Sequence, residues 1–376
     1  MLSRRHLRIK VLQSLYAFIQ SENDRMDQAE RQLLQSIDRI LELTVHHFSL
    51  LFEVADFAEK RIDEGKQKHL PTAEDINPNL RFIENPFIGS LRANRAINRS
   101  IDQLKISWRD HDDVIRKIHN KLREADFYKK YMSAPTVGFN EHRDVVRHLF
   151  NDIIFPMPVV QFLFEEKNIF WATDAQTETI TITGSESFEN NDLFRFIDKD
   201  VIGRMYHYVA DNQGDMEVTC EESIMFPEND YFMAAYVTDR YLREMTPDSD
   251  EFAPLPSMLK TDSTHQDDDR DYLLRLFRKV LINRQPYLAQ IAERAENWEA
   301  DRISIMDILI LQMALCELTE FNSIPIKVTM NEYIELTKIY SSPNSKMFVN
   351  GVLDRLVTDL KAAGKITKTG RGLMEG

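Results

Sequence analysis

Residues 301–356 read DRISIMDILILQMALCELTEFNSIPIKVTMNEYIELTKIYSSPNSKMFVNGVLDRL. Ser304 followed at three residues by Asp307 predicts a capped helix start, since a hydroxyl and an acid at that spacing satisfy otherwise orphaned N–H groups reciprocally. The helix it opens is apolar on any wheel, with Met306, Leu309, Ile310, Met313, Ala314 and Leu318 all needing burial. Asn322-Ser323 breaks it. The next helix sets Ile326, Met330, Tyr333 or Ile334, and Thr337 on one face. Pro343 falls near the first turn of a last helix, where a missing N–H costs nothing. Three consecutive helices follow from this stretch.

The same periodicity extends outward. Leu7, Val11, Leu15 and Phe18, widened by Leu12 and Ile19, predict a helix over about 4–20, with Ser3 as its N-cap. A helix of some forty residues, about 24–63, carries Leu33, Ile37, Ile40, Leu41, Thr44, Phe48, Leu51, Phe52 and Ala55. Gly65, Pro71, Pro78 and Pro86 then mark 64–90 as a loop or linker. Residues 91–131, 141–170 and 193–242 look helical. Residues 172–192 are polar and Thr-rich, with a short strand at 179–183. Segment 244–271 holds nine acids, two bases and three prolines, the composition of a solvated, mobile linker. One repeat emerges: 142–174 aligns without gaps on 269–301, with seven identities that include Arg143/Arg270, Phe150/Phe277 and Trp171/Trp298. It suggests a duplicated helical hairpin.

The chain has 376 residues, enough for two or three domain-sized units, and 43% are hydrophobic. Only 11 are glycine, which leans against folds built on phosphate-cradling loops and many tight turns. No run of about 18 apolar residues spans a membrane, and the basic start lacks the apolar stretch of a secretory signal. Two cysteines, Cys220 and Cys316, cannot build a disulfide framework; a reducing cytoplasm is expected. The net charge of −14 argues against nucleic acid until it is divided by position. Residues 1–10 carry four bases and no acid; 355–376 carry five bases and two acids; the middle is therefore −21.

The run IPIKVTMNEYIELTKIY, then S-x-x-F-V-N-G-V-L-D-R, with A-L-C-E-L before it, closely resembles the C-terminal half of the transcription antitermination factor NusB family. SRRHLRIKVLQSLY resembles that family's arginine-rich opening. The resemblance covers roughly the first sixty residues and 269–364. It implies an all-α fold, a pair of perpendicular helical bundles with an additional helical insertion. Residues 1–63 would be the N-terminal helices, 64–268 the insertion with its acidic linker, 269–364 the C-terminal helices and 365–376 a basic flexible tail. It further implies a non-enzymatic factor without cofactor. Such a factor binds boxA single-stranded RNA together with NusE, a small-subunit ribosomal protein, within the RNA polymerase antitermination complex at ribosomal RNA operons.

Physical chemistry bears on the same residues. Arg4 and Arg5 sit in a first helical turn whose dipole is already positive, which costs a few tenths of a kcal/mol each unless an anion is recruited. On a wheel Arg5, Ile9, Gln13 and Tyr16 share a sector beside the core stripe. A guanidinium, an amide and a ring there suit phosphate neutralisation with base stacking. The family pattern carries RNA binding to Arg4, Arg5 and Arg8, and less directly to His6 and Tyr16. A second patch is Asn344, Lys346 and Phe348, where relatives often read Asp-Ser-His-Lys-Phe; core packing is an equal reading for Phe348. Asn331, Glu332 and Asn350-Gly351 read as structural, one stitching helices and the glycine permitting close approach. His46-His47 cannot share one metal on a helix, Asp267-Asp268-Asp269 reads as tether, and Cys316 reads as a core thiol.

Two other classes compete. Some ribosomal RNA cytosine methyltransferases carry a NusB-like domain, but neither cysteine here sits beside proline in a catalytic setting. A helical interaction scaffold, with the acidic insertion holding a basic partner and RNA binding reduced or lost, is the other.

Overall fold

The computed structural model describes residues 1–21, 25–166, 230–261, 268–295, 304–342 and 345–373. Helix α1 (Arg4–Gln20) starts at Ser3, whose hydroxyl accepts from the His6 N–H, and buries Leu7, Val11, Leu12 and Leu15. Helix α2 (Met26–Lys66) has 41 residues, about 60 Å at 1.5 Å per residue. It is the spine. No proline interrupts it, and buried side chains recur from Ala29 to Ala58.

Then come α3 (Ala73–Ile76), α4 (Pro86–Ala93), α5 (Arg95–Leu104), α6 (Asp112–Glu124), α7 (Asp126–Ser133), α8 (Phe139–His148), a π-helical turn (Leu149–Ile154) and α9 (Pro158–Glu166). After them follow α10 (Asp230–Glu244), α11 (Asp269–Ile282), α12 (Arg284–Arg294), α13 (Ile305–Glu320), α14 (Ile326–Tyr340) and α15 (Ser345–Ala362). The fold is all-α, and the described residues contain no strand. Helices α4, α5, α6 and α10 pack on α2. Helix α13 is apolar on every side and is wrapped by α1, α11, α12, α14 and α15.

Several boundaries depart from the sequence reading, each for a local reason. Pro86 starts a helix rather than breaking one: Asn85 caps it, accepting from the N–H groups of Phe87 and Ile88. The stretch 91–131 divides at Asn94, which caps α5, and at Lys105, which leaves α5 in the left-handed region at φ 53°. Repeat partners 142–166 and 269–294 both form helix–turn–helix units broken at corresponding places. Trp171 and Trp298 lie outside the described residues, as do the expected strand, 193–229 and Cys220.

Segment 245–261 is irregular but pinned. Arg95 N–H donates to the Glu251 carbonyl at 2.8 Å, Asn94 Nδ2 to Ala253 O at 2.9 Å and Leu2 N–H to Met258 O at 2.8 Å, while Met245 and Met258 are buried. The expectation of a mobile linker thus fails where the segment is described, because its backbone carbonyls serve the caps of α1 and α5. Nor does 365–373 hang free: Thr369 N–H donates to Asn322 O, and a Cβ on Gly372 would lie 2.0 Å from that same carbonyl. Gly351, by contrast, faces open space, so no close helix approach explains it.

Buried polar pairs staple α10 and the helices before it to α1 and α2. Lys10 Nζ on α1 lies 2.5 Å from Asp230 Oδ1 on α10, both buried. His47 Nδ1 on α2 is 2.9 Å from the Thr238 hydroxyl. Arg147 and Asn151 both donate to Asp239. Trp108, buried in the turn before α6, donates to Ser49 at 3.0 Å.

Candidate nucleic-acid interface

The arginine turn of α1 lies against carboxylates from three other helices. Arg8 forks onto Glu317 of α13, Nε–Oε2 2.9 Å and Nη2–Oε1 2.8 Å, and reaches Glu332 of α14 at 3.4 Å. Glu317 is fully buried and also accepts from Tyr272, Thr329 and Tyr333 hydroxyls at 2.6, 2.9 and 3.3 Å. Burial alone would raise its carboxyl pKa; the Arg8 charge and these donors hold it below the ordinary value. Arg5 forks onto Glu332 with two 2.9 Å bonds. Arg4 Nε lies 3.2 Å from Asp269, and its guanidinium sits 4.3 Å from the centre of the Tyr272 ring. The dipole penalty expected for basic residues at a helix start is therefore offset by acids from α11 and α14.

This arrangement corrects several expectations. Arg8 is 2% exposed, so it cannot meet a phosphate while the pair stands; it joins α1 to α13 instead. His6 is buried with Nδ1 2.6 Å from the Ser3 hydroxyl, and burial first, then Lys10 and Arg5, push its pKa down to about 4. It adds no charge near neutral pH. Phe348 is core at 4% exposure, which removes it as a stacking platform. Asn344 lies outside the described residues. Arg4, Arg5 and Tyr16 remain half-buried at the surface, and Lys346 is exposed at the first turn of α15.

Helices α1 and α14 run parallel in fixed register. Arg5 meets Glu332, and Gln13 Nε2 donates to the Tyr340 hydroxyl at 3.1 Å, both at an offset of 327 residues. Glu332 stitches helices, as the sequence predicts. The start of α15 follows Tyr340 directly, where Ser345 donates to Asp307 at 2.9 Å and Ser341 donates to Ser345. Asp307 thus turns away from the Ser304 backbone, and only the Ser304 half of the predicted capping box forms. Glu317, Asp269 and Tyr272 went unrecognised in the sequence. One signal existed: Glu317 is the only charged residue among 308–319, an acid in an apolar helix that must find a cation.

What fold and site define is an all-helical protein whose N-terminal arginine helix is locked onto a C-terminal helical bundle. No helix of the described residues is long and apolar enough to cross a membrane. The NusB family model matches residues 233–358, beginning inside α10. Transcription antitermination protein NusB of Salinibacter ruber is 39% identical over 134 residues, 36% of this chain and 83% of that protein. Its namesakes from Chloroherpeton thalassium and Listeria welshimeri are 37% and 34% identical, covering 28% and 26% of this chain and 50% and 75% of their own lengths. No solved structure matches. The chain belongs to the NusB family. These relatives carry the name of an antitermination protein and none that of an enzyme.

Proposed function

We propose that this chain is a transcription antitermination factor that binds boxA-type single-stranded RNA with NusE, within the antitermination complex that carries RNA polymerase through ribosomal RNA operons. The observation that carries the reading is the Arg4–Arg5 turn, half-exposed yet held in place by Asp269, Tyr272 and Glu332. The Arg5 guanidinium, oriented by Glu332 through Nε and Nη2, keeps its remaining N–H groups for a phosphate on the other edge. Tyr16, on the same helix three turns on, supplies a ring at the surface, and Lys346 adds an exposed cation. Arg8 and His6 support the turn from within.

The test is an RNA titration at two salt concentrations, with and without NusE. Three phosphate contacts, through Arg4, Arg5 and Lys346, predict a slope of log K against log salt near −2, from about −0.7 per contact on single strands. NusE should tighten binding. A slope near zero, or equal affinity for boxA and scrambled RNA, overturns the reading.

A further inference from the structure

The acidic middle of the chain is not uniformly acidic. Residues 81–130 hold twelve Lys and Arg against seven Asp and Glu, a local excess of five positive charges inside a chain of net −14. Arg99, Lys105, Arg109, Arg116, Lys121, Arg123 and Lys130 are all exposed, and none has an ion-pair partner among the described residues. The contrast with α1 is chemical. Arg5 must share its guanidinium between phosphate and Glu332, whereas a free surface cation meets phosphate without giving up a carboxylate.

A second feature accompanies this charge. Phe252 is 64% exposed, with the Arg95 guanidinium 4.5 Å from its ring centre and Arg95 itself paired to Glu251 at 2.8 Å. A phenyl ring held at the surface by a cation is a platform on which a nucleobase can stack. Arg99 lies one turn along α5 from Arg95, on the same face and away from buried Ile97. The location also matters. Glu251 is bonded to the start of α5 and Met258 to Leu2, so seven residues of strap, at most about 25 Å, separate this ring from the arginine turn of α1.

We propose that Phe252, Arg95 and Arg99, with the free cations of α5–α7, form a second single-stranded RNA track. It stacks and neutralises RNA flanking the segment bound at α1 without reading its sequence. The inference rests on the RNA-binding reading above but uses different residues. Asp102 on α5, Asp248 and Asp250 on the strap, and Asp110, Asp112, Asp113, Glu124 and Asp126 around α6 and α7 are also exposed and oppose phosphate, so Phe252 and Arg99 mark where the track runs.

The test uses the full chain and two RNAs: a short boxA-type RNA, and the same RNA extended by a single-stranded flank. Two variants are compared with wild type: Phe252→Ala, and the combined Arg99→Gln, Arg116→Gln, Lys121→Gln and Arg123→Gln. These side chains are exposed, so folding should persist, as circular dichroism would verify. The extension should tighten wild-type binding. The quadruple variant should lose that gain and flatten the salt slope on the long RNA by up to about 3, at about 0.7 per contact. Phe252→Ala should lose affinity for the long RNA with the slope kept. Binding of the short RNA should change in neither. Equal affinity of wild type for both RNAs, or an unchanged slope in the quadruple variant, overturns the track. If Arg4→Gln/Arg5→Gln leaves short-RNA binding untouched while the flank effect persists, the α1 reading fails and the track stands.

Discussion

Arg8 and Glu317 form a buried two-bond ion pair between the first helix and the most buried helix of the bundle. Taking both charges out of water is costly, and the cost is recovered only because every oxygen of Glu317 is engaged by a donor. Truncating one partner should therefore be severe. Arg8→Ala, which strands Glu317 among three hydroxyls, is expected to lose about 3–5 kcal/mol in urea unfolding. The Arg8→Met/Glu317→Leu double variant should lose clearly less than the two single losses added together. Additive losses would mean that the pair does not act as a unit.

Glu332 is both an orienting group and a competitor for Arg5. Its removal separates the two effects. Glu332→Gln should cost about 1 kcal/mol of stability, as expected for a partly exposed pair, and should tighten RNA binding because Arg5 no longer shares a full negative charge. Arg5→Gln should weaken it. If Glu332→Gln weakens binding as much as Arg5→Gln does, orientation outweighs competition.

The helices of this fold were legible because apolar side chains recur at helical spacing, and that pattern is local. The site was legible only in part, because burial is not local. The wheel separates Arg5 from Arg8, but nothing local names the acid each one meets, 309 residues away for Arg8 and 327 away for Arg5. Phe348 and Tyr16 were similarly indistinguishable as rings. Segment 245–261 has the composition of a tether, but its order comes from carbonyls bonded to Leu2, Asn94 and Arg95, and composition is blind to backbone bonds.

Three buried imidazoles, His6, His47 and His119, should make the protein acid-sensitive, the last also pushed down to about 4 by burial. Burial pushes His6 down to about 4, and pushes His47, with help from His46, down to about 3. Unfolded, each returns to about 6.5, so below that pH the unfolded chain binds more protons and folding weakens. The contribution is complete above pH 6.5 and is lost progressively as pH falls toward 4. At pH 5 each should have removed about 2 kcal/mol, integrating the shift at 1.36 kcal/mol per unit. His47→Gln, which retains a partner for Thr238, should lose correspondingly less stability than wild type between pH 7 and pH 5. Parallel losses in the two proteins would place the acid sensitivity elsewhere.

Removing 64–268 would be the direct way to ask whether the insertion matters, and the structure predicts that it cannot answer. The deletion takes away Asp230 and Thr238, the partners of Lys10 and His47, together with Phe150, Phe164 and Tyr231, the rings packed on His47. It also uncovers the apolar face of α2 from Val45 to Ala58. The shortened chain should therefore be largely unfolded or aggregated by circular dichroism and sedimentation. Lys10→Met/Asp230→Leu in the full chain should instead fold, because an apolar pair of similar size replaces the ion pair without leaving a charge behind. A shortened chain that is monomeric, helical and cooperative on heating would show that α10 is an accessory, and that the bundle of α1, α2 and α11–α15 closes without it.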